Sequence, residues 1–228
     1  MPKLTNISKK WGNRSIFEGF SLDIEENKTT VILGKSGVGK TTLLSLISNL
    51  TDYEGEISGF GKISYVFQEP RLIPFLTVKE NLEYALSSVY KEEDLLKVID
   101  KYLEMTGLNG LKNKLASNLS GGEKQRVSLI RAFSYPSETI LLDEPFSSLD
   151  VGLKMKIIDL YSDLLKFSPK TAVLVTHDID EALYLADDVI FLSENGYKRF
   201  SVKTDKQNRT FGYEDDNLLR KELYSLFS

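Results

Sequence analysis

The chain holds 228 residues, 41% of them apolar and 27% charged, a balance that fits an ordinary globular protein with sequence enough for a large core. A net charge of −4 at pH 7 and the absence of cysteine exclude bulk attraction to a polyanion, disulfides and thiolate metal sites. Met1-Pro2-Lys3-Leu4-Thr5 forms no apolar signal segment, and the longest apolar run, Ala182 to Ala186, is far too short to span a bilayer, so any membrane role is expected to run through a partner chain.

Residues 4 to 33 read as short strands. Leu4 to Trp11 alternates loosely, Gly12-Asn13 turns, Phe20 to Ile24 alternates cleanly, and Glu26-Asn27 turns again. Thr29 to Leu33 is a β-branched apolar run. It leads into Gly34-Lys35-Ser36-Gly37-Val38-Gly39-Lys40-Thr41-Thr42, which matches the P-loop pattern G-x-x-x-x-G-K-[ST]. Beyond it, Leu43, Leu44, Leu46, Ile47 and Leu50 recur at helical spacing. Strand, glycine loop and helix are the context that this motif needs. The glycines let successive N–H groups point inward at phosphate oxygens. The positive end of the following helix faces the same anion. Lys40 can reach the β- and γ-phosphates, and the Thr41 hydroxyl can reach Mg²⁺. The chain is therefore expected to bind a nucleoside triphosphate.

Two more short strands follow, Gly55 to Ser58 and Lys62 to Phe67, and this N-terminal part is expected to form an antiparallel sheet leaning on the P-loop strand. The character changes after Gln68. Thr77-Val78-Lys79-Glu80 has capping-box spacing, so a helix should run from Val78 to about Ser88. Another is expected from Glu92 to Met105, stopped by Gly107. Ser120-Gly121-Gly122-Glu123 again has capping-box spacing and opens a helix that ends before Pro136. Strands return at Thr139 to Leu142 and Thr171 to Val175, apolar enough for a parallel sheet covered on both faces. Asp150 should cap a helix to about Lys166, and Asp178 with Glu181 should box the next. Val189 to Val202 reads as a hairpin with a type I′ turn at Asn195-Gly196, Lys203 to Asn208 as a loop, and Asp216 to Phe227 as a small amphipathic helix. The fold class is α/β: one domain over 1–228, with a P-loop core, a mostly parallel sheet, an N-terminal antiparallel part, a helical insert over roughly 70–135 and a short tail over 203–228.

The chemistry-bearing residues extend beyond the P-loop. Thr139 to Leu142 ends in Asp143 and Glu144. In P-loop enzymes the first carboxylate at such a strand end holds Mg²⁺. A second beside it is placed to accept a proton from attacking water. Alone, such a pair reads more readily as helix capping; the glycine loop upstream reverses that in favour of the metal reading. Leu119-Ser120-Gly121-Gly122-Glu123-Lys124-Gln125-Arg126 combines a hydroxyl, two glycines and a helix start. That is a second anion site by the same physics as the first. It makes sense if it closes over a nucleotide held by another copy.

In this order and spacing, over about residues 4 to 202, the motifs resemble the ATP-binding subunit of an ABC transporter. The resemblance implies two copies packed head to tail around two ATP molecules, with Ser120, Gly121, Gly122 and Glu123 as the signature that meets the partner's ATP. By it, Trp11 is similar to the aromatic that stacks on adenine, and Gln68 to the loop glutamine that reaches Mg²⁺ and the attacking water. Ser148-Leu149-Asp150 resembles the loop that crosses the dimer interface. His177, the only histidine, falls where the family's switch histidine meets the γ-phosphate. Glu144, His177, Gln68 and Lys40 would then be catalytic, and Thr41, Gln68 and Asp143 would hold Mg²⁺. The segment Val66 to Thr77 is similar to importer ATPases for nitrate, sulfonates, taurine and pyrimidine precursors, although Ile73-Pro74-Phe75 stands where those show Leu-Pro-Trp.

The resemblance thus implies an Mg²⁺-dependent ATPase peripheral to the cytoplasmic side of the cell membrane. Its partners would be a second copy, membrane permease subunits and a solute-binding protein, with no nucleic acid. One alternative keeps the ATPase but places it on DNA or ribosomes; the stretch between Gln68 and Ser120 lacks the sustained heptads of chromosome-type members. Another is a GTP switch. Asn113-Lys114-Leu115-Ala116 begins like a guanine-reading motif but lacks its carboxylate.

Overall fold

The computed structural model describes residues 1–147, 149–203, 209, 211 and 217–227. Nine strands and seven α-helices are seen among them, in the order β1 (Lys3–Trp11), β2 (Arg14–Asp23), β3 (Thr29–Gly34), α1 (Lys40–Ile47), β4 (Glu54–Ser58), β5 (Ile63–Val66), α2 (Val78–Leu86), α3 (Glu92–Met105), α4 (Gly121–Ser134), β6 (Thr139–Asp143), α5 (Val151–Phe167), β7 (Thr171–Val175), α6 (Ile179–Leu185), β8 (Asp188–Ser193), β9 (Gly196–Ser201) and α7 (Asn217–Phe227). No described helix is long and apolar enough to cross a membrane.

Two sheets carry the fold. The smaller is antiparallel in the order β2-β1-β4, and the larger runs β5-β6-β7-β3-β8-β9. The larger is parallel except for β9, which pairs antiparallel with β8. Alternation along its central strands divides the core in two. Ile32, Leu141, Val173 and Ile190 face α1 and the antiparallel sheet. Val31, Leu33, Ile140, Leu142 and Leu174 face the helical side built from α2 to α6. Both faces are dry, which is why these strands are apolar almost throughout.

The helical insert, α2 to α4, lies between β5 and β6. Two capping boxes anticipated from the sequence form. Glu80 N donates to Thr77 Oγ1, and Thr77 N donates to Glu80 Oε2. Ser120 and Glu123 repeat the arrangement at the start of α4.

Three local expectations are corrected. The strand over residues 62–67 is not part of the antiparallel sheet: β5 pairs in parallel with β6, Val66 opposite Leu142. Its alternation is compatible with either sheet, and its long-range partner decides. In the β8–β9 hairpin Ser193 pairs with Gly196, and the positive φ falls on Gly196 at +116°. Glu194 and Asn195 therefore form no type I′ turn, which needs positive φ at both central residues. Asp178 caps α6 through Asp180 N and Glu181 N, but Glu181 turns inward and the box is not closed. The predicted loop over 203–208 lies, apart from Lys203, outside the described residues.

Candidate nucleotide site

Four adjacent strands, β5, β6, β7 and β3, end at one edge of the large sheet. Their carboxyl ends deliver Gln68, Asp143 with Glu144, His177 and the glycine loop to that edge. This is where open parallel sheets bind ligands. The sequence carries these residues tens of positions apart, and the strand order brings them together.

The loop between β3 and α1 is shaped by its glycines. Gly37 has φ +77° and Gly39 φ +108°. A Cβ on Gly39 would also come within 2.6 Å of Ile16 Cγ2, so only glycine fits that bend. Lys40 is buried, and its Nζ donates to Gly34 O at 2.8 Å and Lys35 O at 3.1 Å. Burial pulls its pKa below the ordinary lysine value, opposed by the charges of Glu144 and Asp143. Arg14, at the start of β2, donates to Gly37 O at 3.0 Å and straps the loop from outside. Nothing in the sequence pattern singles out Arg14.

Asp143 is buried at the end of β6. Thr41 Oγ1 donates to its Oδ1 at 3.0 Å, and Tyr65 OH to its Oδ2 at 3.5 Å. Burial raises the Asp143 pKa and Glu144 adds to this, while Thr41, Tyr65 and Lys40 hold it down. Tyr65 reads in the sequence as an ordinary half-buried strand residue. These hard oxygen donors, Asp143 and Thr41, suit Mg²⁺ completed by phosphate oxygens.

Glu144 has φ +43°, a left-handed conformation unusual for a residue with a long side chain. Its N–H donates to Val175 O at 2.9 Å. Its Oε2 lies 3.3 Å from His177 Nδ1. The loop carrying His177 is anchored beneath: Thr176 Oγ1 donates to Glu181 Oε2 at 2.6 Å, and Lys154 Nζ reaches Asp178 Oδ2 at 3.0 Å and Glu181 Oε1 at 2.7 Å. Burial raises the Glu181 pKa, with Lys154 and Thr176 opposing.

The signature segment opens α4. Ser120 and Gly121 are exposed, while Gly122 is buried. A Cβ on Gly122 would come within 2.5 Å of Leu153 Cδ2, so the helix start sits tight on α5. Gln125, one turn further, donates through Nε2 to Pro145 O at 2.6 Å, tying α4 to the segment that follows Glu144. Asp150 caps α5 by accepting from Leu153 N at 3.0 Å. Ser148 lies outside the described residues. Gln68 is exposed beyond β5. Trp11 is 53% exposed, and its Nε1 donates to Thr42 Oγ1 at 3.4 Å, so it borders the P-loop helix.

A family model described as ABC transporter matches residues 17–147, more than half of the chain. The chain belongs to the ABC transporter family. Among curated relatives, the aliphatic sulfonates import ATP-binding protein SsuB 2 of Pseudomonas syringae pv. tomato is 38% identical over 81% of this chain and 78% of its own. The protein of the same description from Mesorhizobium japonicum is 35% identical over 97% of this chain and 89% of its own. The resemblance to sulfonate-type importer ATPases is thereby borne out. A solved dimeric ATP-binding cassette in a post-hydrolysis state, bound to ADP and Pi, is 32% identical with a TM-score of 0.78, covering 90% of this chain and 100% of that one. CbiO1 from Clostridium perfringens, described as part of the ABC transporter complex cbiONQ, is 26% identical with a TM-score of 0.80, covering 89% of this ABC chain and 88% of that one.

Proposed function

We propose that this chain is the ATP-hydrolysing subunit of an ABC importer for a small solute, working as a homodimer on membrane permease subunits at the cytoplasmic face. The observation that carries the mechanism is the meeting of Lys40, Thr41, Asp143, Glu144 and His177 at adjoining strand ends. The relatives are importer subunits, which turns aside a role on DNA or ribosomes.

In this reading the loop Gly34 to Thr42 cradles the phosphates of ATP, and Trp11 offers its ring to adenine. Asp143 and Thr41, joined by Gln68, would hold Mg²⁺, whose charge would offset that of the phosphates. Glu144 positions the attacking water and accepts its proton. The Glu144 contact holds His177 beside the phosphoryl group, and Lys40 leaves its loop carbonyls to stabilise charge there. Ser120, Gly121 and Gly122 of each copy close over the ATP of the other, and Ser148 and Asp150 lie along that seam. Closure moves the helical insert, and the insert moves the permease. A solute-binding protein outside would deliver the cargo, and aliphatic sulfonates are the first class to test. Phosphate release at increasing protein concentration tests the dimer: specific activity should rise and then saturate. Constant specific activity down to the lowest concentration would overturn it.

A further inference from the structure

Lys9 stands behind the Trp11 ring. Its Nζ lies 4.3 Å from the ring centroid, within cation–π range. The lysine is 5% exposed, whereas Trp11 is 53% exposed. The β1 strand breaks register on both sides of Lys9, and bulges of this kind re-aim a side chain. The ammonium is also held in place. It donates to Thr51 Oγ1 at 2.7 Å, Asp52 O at 2.8 Å and Asp52 Oδ1 at 2.8 Å. In turn, Lys9 holds the Asp52 carboxyl below its ordinary pKa.

The ring is thus tied to both ends of the P-loop helix. Its N–H edge meets Thr42 in the first turn of α1. One face meets a cation fixed by Thr51 and Asp52, just past the end of α1. The cation has a second consequence. An aromatic face is negative and resists another π-face laid squarely over it. An ammonium on the far side draws that density toward itself and makes the free face a better platform for an electron-rich purine.

We propose that Lys9 is a positioning residue for the nucleotide, fixing the Trp11 ring from behind and leaving its other face for the base. The proposal rests on the reading that Trp11 stacks on adenine. It assigns Lys9 no contact with ATP.

Trp11 is the only tryptophan, so emission excited at the red edge, where tyrosine no longer absorbs, reports this ring alone. Lys9→Met should shift the emission maximum and weaken ATP binding, measured by calorimetry, by about fivefold to tenfold, the equivalent of one cation–π contact. Lys9→Arg should restore both. Asp52→Ala touches only an exposed side chain and should loosen the ammonium, giving a smaller loss of the same kind without threatening the fold. In a Trp11→Ala background, Lys9→Met should change ATP affinity no further. An equal loss in that background would show that Lys9 acts through the fold and would overturn the proposal. So would a Lys9→Met chain with unaltered emission and affinity while Trp11→Ala binds poorly. Unaltered affinity in Trp11→Ala alone would instead remove the stacking reading itself, and Lys9's role with it.

Discussion

Glu144 Oε2 and His177 Nδ1 lie 3.3 Å apart, across the ends of two neighbouring parallel strands. The contact joins the residue proposed to activate water to the residue proposed to watch the γ-phosphate. In the proposed mechanism this contact would let one pair of side chains both sense ATP and act on it.

Replacing that carboxylate should separate binding from turnover. Glu144→Gln keeps size and hydrogen bonding but removes the proposed base, so hydrolysis should fall by roughly 10²–10⁴-fold. Thr41 and Asp143 are untouched, and ATP should still bind. Because bound ATP favours closure, the closed state should accumulate. Gel filtration with ATP is expected to show a dimer for the variant and mostly monomer for the unmodified chain. Adding Ser120→Arg to the same chain should abolish the dimer and leave ATP binding intact. A variant that turns over at full rate, or stays monomeric at high ATP and high protein, would sink the mechanism.

Phe75 is 76% exposed at the entry to the helical insert. The chain around it is built, not loose. Asn81 brackets Ile73 through bonds to its N–H and C=O, and Arg131 donates to Pro70 O and Arg71 O. A large apolar side chain held outward on a fixed loop fits a permease contact. Phe75→Asp should shift stability by no more than about 0.5 kcal/mol. It should also prevent copurification with the permease. Loss of folding would place this residue in the core and end the coupling argument.

Lys154 joins Asp178 and Glu181 under the His177 loop, and Glu181 is 1% exposed. Lys154→Met would leave a buried carboxylate without its cation. A cost of ~3 kcal/mol is expected in denaturant melts, in line with breaking one partner out of a buried pair. Lys154→Met with Glu181→Gln should recover most of it. A double variant no more stable than the single would show that Lys154 acts by packing alone.

Lys170 is 4% exposed, and its ammonium donates to Tyr135 O, Ser137 O and Ser137 Oγ. Burial pushes its pKa down to about 8, from an ordinary 10.5. Below about 8 both native and unfolded chains keep the proton. Between about 8 and 10.5 the native chain has lost it and the unfolded chain has not. Unfolding then takes up a proton, so stability should rise with pH across this window, by at most ~3 kcal/mol. Comparison with Lys170→Met isolates the effect: the variant should lack the upward slope. Identical slopes would remove Lys170 from the account.

Most of the element order was legible because it rests on local signals. The capping spacings at Thr77 and Ser120, the Asp150 cap and the apolar runs of β3, β6 and β7 each depend on a few neighbouring residues. What escaped the sequence depends on distant partners. Strand β5 joins β6 because of a pairing made across the whole helical insert. Tyr65, Arg14 and Gln125 each reach the site through one hydrogen bond to a residue remote in sequence. No local spacing records such a bond. The P-loop, Asp143, Glu144 and His177 were readable because they sit at strand ends, where the pattern of apolar run and polar stop is itself the message.

The backbone at Glu144 carries a consequence for how this chain evolves. A φ of +43° is one that glycine or asparagine enters readily and glutamate does not. A turn free to settle its own geometry would drift toward those smaller residues. The work proposed for its carboxylate would account for glutamate at such a turn. On the proposed mechanism, a descendant released from hydrolysis should lose this residue early and gain, at that one turn, a more comfortable chain.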